Sequence, residues 1–191
     1  NVRGKEPQLK FRDYHPPVLL VLSICTLVFS PLVILLMPLI LSETIYFDRD
    51  NWIIVTPNVN YILIAVSSLC ILFILLLFYF FKINMYSLSI GSGLLIISLL
   101  LVYASAKSCI IISEQGIQTQ GPITKKHTYD WKDIKRIDNQ LEKSAGTRRH
   151  YIFYFHNGEK LTIMQNGLFT HEVTSKIYWQ AKYENIDFNE Y

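Results

Sequence analysis

The sequence predicts a membrane α-helical bundle of three transmembrane helices, followed by a small C-terminal α+β domain. Three apolar runs without Asp, Glu, Lys, Arg or His occupy residues 18–41, 61–81 and 83–106. After Lys107 the chain becomes polar, aromatic and charged, so the hydrophobic fraction of 51% averages two unlike halves. We therefore expect an N-terminal flank (1–17), a transmembrane region (18–106) and a domain of residues 107–191, large enough for its own core.

Each apolar run is long enough to cross a bilayer, whose hydrocarbon core of about 30 Å needs ~20 apolar helical residues. A helix in a soluble core would show a polar stripe every three or four residues, and these runs show none. Pro31 and Pro38 lie inside the first run, where neighbouring helices can satisfy freed carbonyls, so a kinked helix is expected. The alternative is a hairpin folded at Pro31, with arms too short to cross. The chain is thus predicted to be a multi-pass protein of the cell membrane.

Positive residues predict the orientation of these spans, since cytoplasmic flanks are enriched in Lys and Arg. Four lie in the N-terminal flank and a fifth, Lys82, lies in the turn between the second and third spans. The connecting loop over residues 42–58 carries one, Arg49, and its stretch 52–55 is expected to be interfacial. We expect a cytoplasmic N-terminus and an extracytoplasmic C-terminal domain.

Turn signals divide the C-terminal domain into about six short strands. Glu114-Gln115-Gly116, Gly121-Pro122 and Asn157-Gly158 are turn sequences, and the last is a strong hairpin signal. Strands are predicted over 109–113, 117–120, 125–131, 134–141, 150–155 and 160–165. A helix over 168–183 follows, because Phe169, Val173, Ile177 and Ala181 recur every fourth residue. These elements predict a bent sheet or small barrel capped by a C-terminal helix.

Two short motifs carry a resemblance to a known family. Residues 112–117 read I-S-E-Q-G-I and residues 129–137 read Y-D-W-K-D-I-K-R-I. Together with the hairpin and final helix, they resemble bacterial multi-pass membrane proteins with a C-terminal pleckstrin-homology-like (PH-like) domain. The resemblance covers residues 108–184 and implies a binding or assembly module without shared catalytic residues. Many members have two spans before the domain. Three predicted spans are a departure from this pattern, and the departure affects which side of the membrane the domain occupies.

The domain-core signature combines this resemblance with the residue pattern. The resemblance implies a turn at Gly116 and inward packing of Trp131 and Ile134. The residues themselves place Phe153 and Phe155 on the most aromatic strand, which we expect to be the most buried.

Basic residues at two loops are the candidate binding site. Lys143, Arg148 and Arg149 flank one loop, and Lys125 and Lys126 begin a strand. Basic loops at a barrel end can bind phosphate or anionic headgroups, each residue near the surface contributing ~1 kcal/mol. The alternative is an ordinary solvated loop.

No metal site is predicted. His150 and His156 lie on one predicted strand and face the same way, and His127 or His171 could join them. Six residues of strand separate the first two by about 20 Å, too far to share a zinc ion.

Composition and motifs favour binding over catalysis. A net charge of +3 lacks the dense basic footprint of a nucleic-acid binder. The chain has no G-x-S-x-G, no P-loop and no H-E-x-x-H sequence. We expect a non-catalytic binding or scaffold protein without a cofactor, whose partners are membrane lipids and a protein of a membrane complex. The alternatives are an immunity or stress-protection protein against membrane-active toxins, and a non-catalytic subunit of a membrane enzyme.

Overall fold

The computed structural model describes residues 15–81, 84–142, 148–165 and 169–190. These residues form four α-helices, namely α1 (His15–Tyr46), α2 (Asn58–Phe81), α3 (Met85–Lys107) and α4 (His171–Tyr183). The strands are β1 (Asn51–Val55), β2 (Cys109–Ser113), β3 (Gly116–Gln120), β4 (His127–Asp130), β5 (Ile134–Glu142), β6 (Arg148–Phe155), β7 (Lys160–Met164) and β8 (Asp187–Glu190). The chain divides into two compact units, Asn1–Pro38 with Tyr61–Ser105 and Leu39–Asn60 with Ala106–Tyr191.

The three long helices confirm the predicted membrane-spanning segments. α1, α2 and α3 are each long and apolar enough to cross a bilayer, and large apolar side chains lie exposed along them. α1 continues through Pro31 and Pro38, so the hairpin alternative is wrong. The lengths and hydropathy of these helices indicate a multi-pass membrane protein.

Close approach of α2 and α3 depends on small residues. The hydroxyl oxygens of Ser67 and Ser98 lie 2.8 Å apart, and both side chains are buried. Gly91 faces the ring of Phe78, and a Cβ atom there would lie 2.7 Å from its Cζ. Small and hydroxyl residues at such positions let helices pack tightly in lipid, where interhelical hydrogen bonds add to the association.

The second unit contains two four-stranded sheets, with strand orders β1-β2-β3-β4 and β7-β6-β5-β8. A 3-10 turn over Trp131–Asp133 carries the chain from β4 into β5. β4 and β5 do not pair, so the described strands do not close and the barrel alternative is wrong. The turn redirects the chain at this point, and β4 is therefore an edge strand of the first sheet.

β1 is a correction to the sequence analysis, which treats residues 42–58 as a connecting loop with an interfacial stretch. β1 instead pairs antiparallel with β2, with Ile54 opposite Ile111 and Val55 opposite Ile110. Ile53 and Val55 are buried in the core. A short apolar run has the same composition in an interfacial loop as in a buried strand. The strand cannot be recognised locally, because its partner β2 lies more than fifty residues away along the chain.

The core of the second unit is aromatic and aliphatic, and α4 contributes to it. The rings of Tyr129 and Phe155 stack with centroids 4.1 Å apart. Val173, Ile177 and Ala181 on one side of α4 are buried in the same cluster, as the four-residue spacing predicts. α4 begins three residues later than predicted, because the hydroxyl of Thr170 accepts a hydrogen bond from the Val173 amide and caps it.

β8 follows α4 and was not predicted. It pairs parallel to β5, with Asp138 opposite Asn189. The Asn189 side-chain amide donates to the Asp138 carboxylate at 3.2 Å, and Arg136 lies 3.0 Å from the same group. These two contacts compensate the burial of a charged side chain, which is costly when unpaired.

Candidate functional site

The sheet register defines one end of the first sheet, which we call the junction end. α3 ends at Lys107 and β2 begins at Cys109, so one residue separates them. Cys109 pairs with Gln120, the last residue of β3, and neighbouring strands lie about 4.8 Å apart. The connection over residues 121–126, the junction loop, therefore starts beside the end of α3.

The junction loop exposes one apolar and two basic side chains. The amide of Gly121 donates a 2.9 Å hydrogen bond to the hydroxyl of Thr124, which closes the turn. Ile123, between them, is 95% exposed. Lys125 and Lys126 follow and are exposed as well. The loop thus combines a projecting hydrophobic group with two positive charges.

Lys126 also lines a narrow crevice with Tyr46 and Cys109. Burial raises the pKa of the Cys109 thiol, while a hydrogen bond with Tyr46 and the charge of Lys126 act in the opposite direction. The thiol is therefore neutral at physiological pH and behaves as a small buried hydrophobic group. Because Lys126 lines the same crevice as Tyr46 and Cys109, it lies at the junction end.

Two hydrogen bonds tie the ends of the other long helices to this junction. The side-chain amide of Asn60, in the first turn of α2, donates to the Ser108 carbonyl at 2.7 Å. The hydroxyl of Tyr46, the last residue of α1, donates to the Lys107 carbonyl at 3.0 Å. Asn60 and Ser108 are fully buried. These contacts join the end of α1 and the start of α2 to the connection between α3 and β2.

A second surface feature is a groove of about 650 Å³ along α4, which we call the α4 groove. Trp52 of β1 lines it together with Trp179 and Tyr183, and the two α4 side chains are largely exposed. The ammonium of Lys182 lies 5.2 Å from the centroid of the Trp179 ring, within cation–π range. The groove therefore offers both aromatic and cationic contacts.

The predicted basic residues are distributed over separate places. Lys143 and the side chain of Arg148 lie outside the described residues. Arg149 is exposed on β6, opposite Leu141 of β5 in the second sheet. Lys125 and Lys126 are exposed at the junction end of the first sheet. Arg149 and the two lysines thus belong to different sheets.

The domain-core signature residues lie in the interior of the second unit. Gly116, Trp131, Ile134, Phe153 and Phe155 are all buried. Gly116 has a φ angle of +148°, and a Cβ atom there would lie 2.1 Å from the Tyr129 carbonyl oxygen. The Trp131 indole donates to the Ser113 carbonyl at 3.1 Å. A glycine at the turn and a hydrogen-bonded tryptophan thus position the strands on either side of the 3-10 turn.

The described residues do not form a metal site. His127, His150, His156 and His171 all fall within the described ranges. No three His, Cys, Asp or Glu side chains among the described residues come close enough to share an ion.

Sequence reasoning missed three residues of the junction end. Asn60 is a polar residue at the start of an apolar run, which could have marked a buried helix start. Ile123 is an apolar residue inside a turn sequence, which is a visible irregularity. Tyr46 carries no local signal, because its hydrogen-bond acceptor is 61 positions away.

Comparison of the chain with protein-family models, with curated proteins and with solved structures gives no match. The structure itself shows three long apolar helices and a C-terminal β-rich unit that includes α4.

Proposed function

We propose that this protein is a non-catalytic, membrane-anchored binding and scaffold module, an accessory subunit of a larger membrane complex. Its second unit recognises the anionic headgroups of the bilayer that holds its own helices. The observation that carries this proposal is the placement of Lys125 and Lys126, exposed at the sheet end where α3 arrives.

A PH-like fold in the second unit is part of the proposal. Two sets of antiparallel strands, β1 to β4 and β5 to β7, precede α4 in the chain. The turn at Gly116, the 3-10 turn that begins at Trp131 and the hairpin at Gly158 fall in the order of the family that the sequence resembles. These features support the assignment, and they favour a recognition role over a catalytic one.

The pairing of β1 with β2 supports the three-span arrangement. α2 and α3 lie between these strands in the chain. If both helices cross the bilayer, the chain returns to its starting side, as the β1–β2 hydrogen bonds require. We propose that the second unit lies outside the cell and that the basic N-terminal flank lies in the cytoplasm.

The two lysines lie a short distance along the chain from the end of α3. α3 has 23 residues, or about 34 Å of helix, close to the thickness of a hydrocarbon core. Lys107 at its end therefore lies near a membrane surface, and the junction loop begins one strand spacing from Cys109. Lys125 and Lys126 add two charges there, each contributing ~1 kcal/mol with an anionic surface. Together they correspond to roughly a 30-fold preference for anionic over neutral lipid.

The proposal is tested with the full chain in nanodiscs that contain phosphatidylcholine with and without phosphatidylglycerol. The measurement is the ratio of the two lipids retained by the protein in native mass spectrometry. We expect enrichment of phosphatidylglycerol, and loss of most of it in a Lys125→Gln/Lys126→Gln variant.

A matched control makes the same charge change at the opposite end of the sheet. Lys132 and Lys135 are exposed near the 3-10 turn, which follows the end of β4 that pairs with Gly116. Lys132→Gln/Lys135→Gln should keep the enrichment. Equal retention of both lipids by the native chain, or equal loss in the two double variants, would contradict the proposal.

Recognition of a protein partner is a second candidate, favoured by the α4 groove. Exposed Trp179 and Tyr183 beside Lys182 have the composition of an interaction surface, since tryptophan and tyrosine dominate binding energy at interfaces. A photoreactive residue at position 179 in the native membrane should then crosslink one protein at fixed stoichiometry, and Tyr183→Ala should reduce the yield. Crosslinking to lipid alone would argue against this candidate.

A further inference from the structure

We propose that Ile123 inserts into the headgroup–acyl boundary of the bilayer and anchors the junction end of the sheet. Lys125 and Lys126, which follow it in the junction loop, contact the headgroups. This inference rests on the proposed function, and it identifies the apolar zone of the membrane as a second ligand at the same site.

Ile123 projects from the junction loop into the surroundings of the protein. At 95% it is nearly free of protein contacts, although a single exposed aliphatic residue on a soluble surface would be unremarkable. Its position distinguishes it, because the junction loop begins next to the two-residue connection from α3. The loop therefore begins one strand away from the residues that follow α3 in the chain.

Ile123 also lies a short distance from the residues that follow α3. Ile123 lies three residues beyond Gln120, so the two Cα atoms are at most about 10 Å apart, and less in the closed turn. Gln120 itself pairs with Cys109, two residues from the end of α3. Ile123 therefore lies near the chain segment that follows α3, which is the segment proposed to leave the membrane.

The junction loop is held in a turn by its own residues. Pro122 restricts its own φ angle, and the hydrogen bond from Gly121 to Thr124 closes the turn around Ile123. A pre-formed turn loses little conformational entropy when it inserts. Lysines beside the inserted residue can keep their ammonium groups at headgroup level while their methylene stems lie against apolar chains.

Depth-dependent fluorescence tests this arrangement in the full chain. Cys25, Cys70 and Cys109 are replaced by alanine, and a single nitrobenzoxadiazole label is attached through Ile123→Cys. The matched control is Gln115→Cys, which is also exposed but lies at the opposite end of the β2–β3 hairpin. β2 alone separates the two ends by about 13 Å.

In nanodiscs, we expect the label at position 123 to emit at shorter wavelength than the label at position 115. Lipids with a nitroxide at a shallow acyl position should quench the first label and leave the second unchanged. Water-like emission without quenching at position 123 would overturn the inference. So would quenching that appears only when another protein of the native membrane is present.

A second measurement applies if the cysteine-free chain does not fold. Ile123→Trp and Gln115→Trp are made in the otherwise native sequence, and quenching by brominated lipids is compared with the native chain. Extra quenching at 123 alone supports insertion, and equal quenching at both positions overturns it.

The two proposals can fail separately. Enrichment of phosphatidylglycerol with an unquenched label at position 123 would remove insertion and leave headgroup recognition in place. A quenched label without any enrichment would remove anionic recognition, and insertion would then be a purely hydrophobic anchor.

Discussion

The hydroxyl of Tyr46 donates a 3.0 Å hydrogen bond to the carbonyl of Lys107, joining residues 61 positions apart. Tyr46 ends α1 and Lys107 ends α3. Asn60 makes the corresponding contact from the start of α2, on the carbonyl of Ser108. The second unit is therefore assembled from two separate segments of the chain, and these hydrogen bonds join the segments where they meet.

Replacing Asn60 should destabilise this assembly. Asn60→Ala leaves the buried Ser108 carbonyl without its donor, and an unsatisfied buried polar group costs about 1–3 kcal/mol. We expect a lower midpoint of thermal unfolding in detergent or nanodiscs. Asn58→Ala is the matched control, because Asn58 is exposed two positions earlier. Equal midpoints for the two variants would show that the hydrogen bond contributes nothing measurable.

β1 should be required for a stable second unit. A fragment of residues 107–191 lacks β1, which leaves one edge of β2 unpaired and removes Ile53 and Val55 from the core. We expect this fragment to be less stable to urea than one in which residues 50–56 are joined to residue 108 by a short glycine-serine turn. That connection suits the register, because Val55 lies opposite Ile110. The expectation fails if both fragments unfold at the same urea concentration.

Among the described residues, Gly116 and Gly158 have positive φ angles, and they should respond differently to alanine. Gly116→Ala meets both an unfavourable φ of +148° and the Tyr129 carbonyl 2.1 Å away. Gly158→Ala meets an unfavourable φ of +86° but no atom within 4 Å. Strain at such a backbone position costs about 1–3 kcal/mol, so Gly158→Ala should fall in that range and Gly116→Ala should exceed it. Free energies of unfolding from urea titration compare them, and a smaller effect at Gly116 would contradict the register of β3 and β4.

Tyr129 should titrate at unusually high pH. Its hydrogen bond to the Glu159 carboxylate (2.7 Å) raises the pKa of Tyr129 to about 12, with further contributions from burial and from the Glu159 charge. A pKa above its ordinary value of 10.0 means that the neutral phenol is favoured in the folded state. The resulting stability is fully present below pH 10.0 and is lost as the pH rises towards about 12.

The measurement is the ¹³Cζ chemical shift of Tyr129 as a function of pH, assigned by its disappearance in Tyr129→Phe. Glu159→Gln removes the carboxylate and should return the pKa of Tyr129 towards 10.0. An unchanged titration in Glu159→Gln would mean that the hydrogen bond does not set this pKa.

Local patterns predicted much of the second unit. Turn signals at Gly116 and Gly158 located β2, β3, β6 and β7 to within two residues, because a glycine or Asn-Gly turn is a property of adjacent positions. The stripe of Val173, Ile177 and Ala181 predicted α4 for the same reason. β8 was missed, since D-F-N-E has little strand propensity and is held by its pairing with β5.

By itself, the sequence determined that three segments are long and apolar enough for a bilayer, and that a β-rich unit with a helix follows. Both properties depend on residues that are neighbours in the chain. Only the tertiary structure decided that residues 51–55 join the first sheet, and that Lys125 and Lys126 lie beside the end of α3 while Arg149 lies in the other sheet. Those placements depend on hydrogen-bonded register between distant segments, which composition and spacing do not encode.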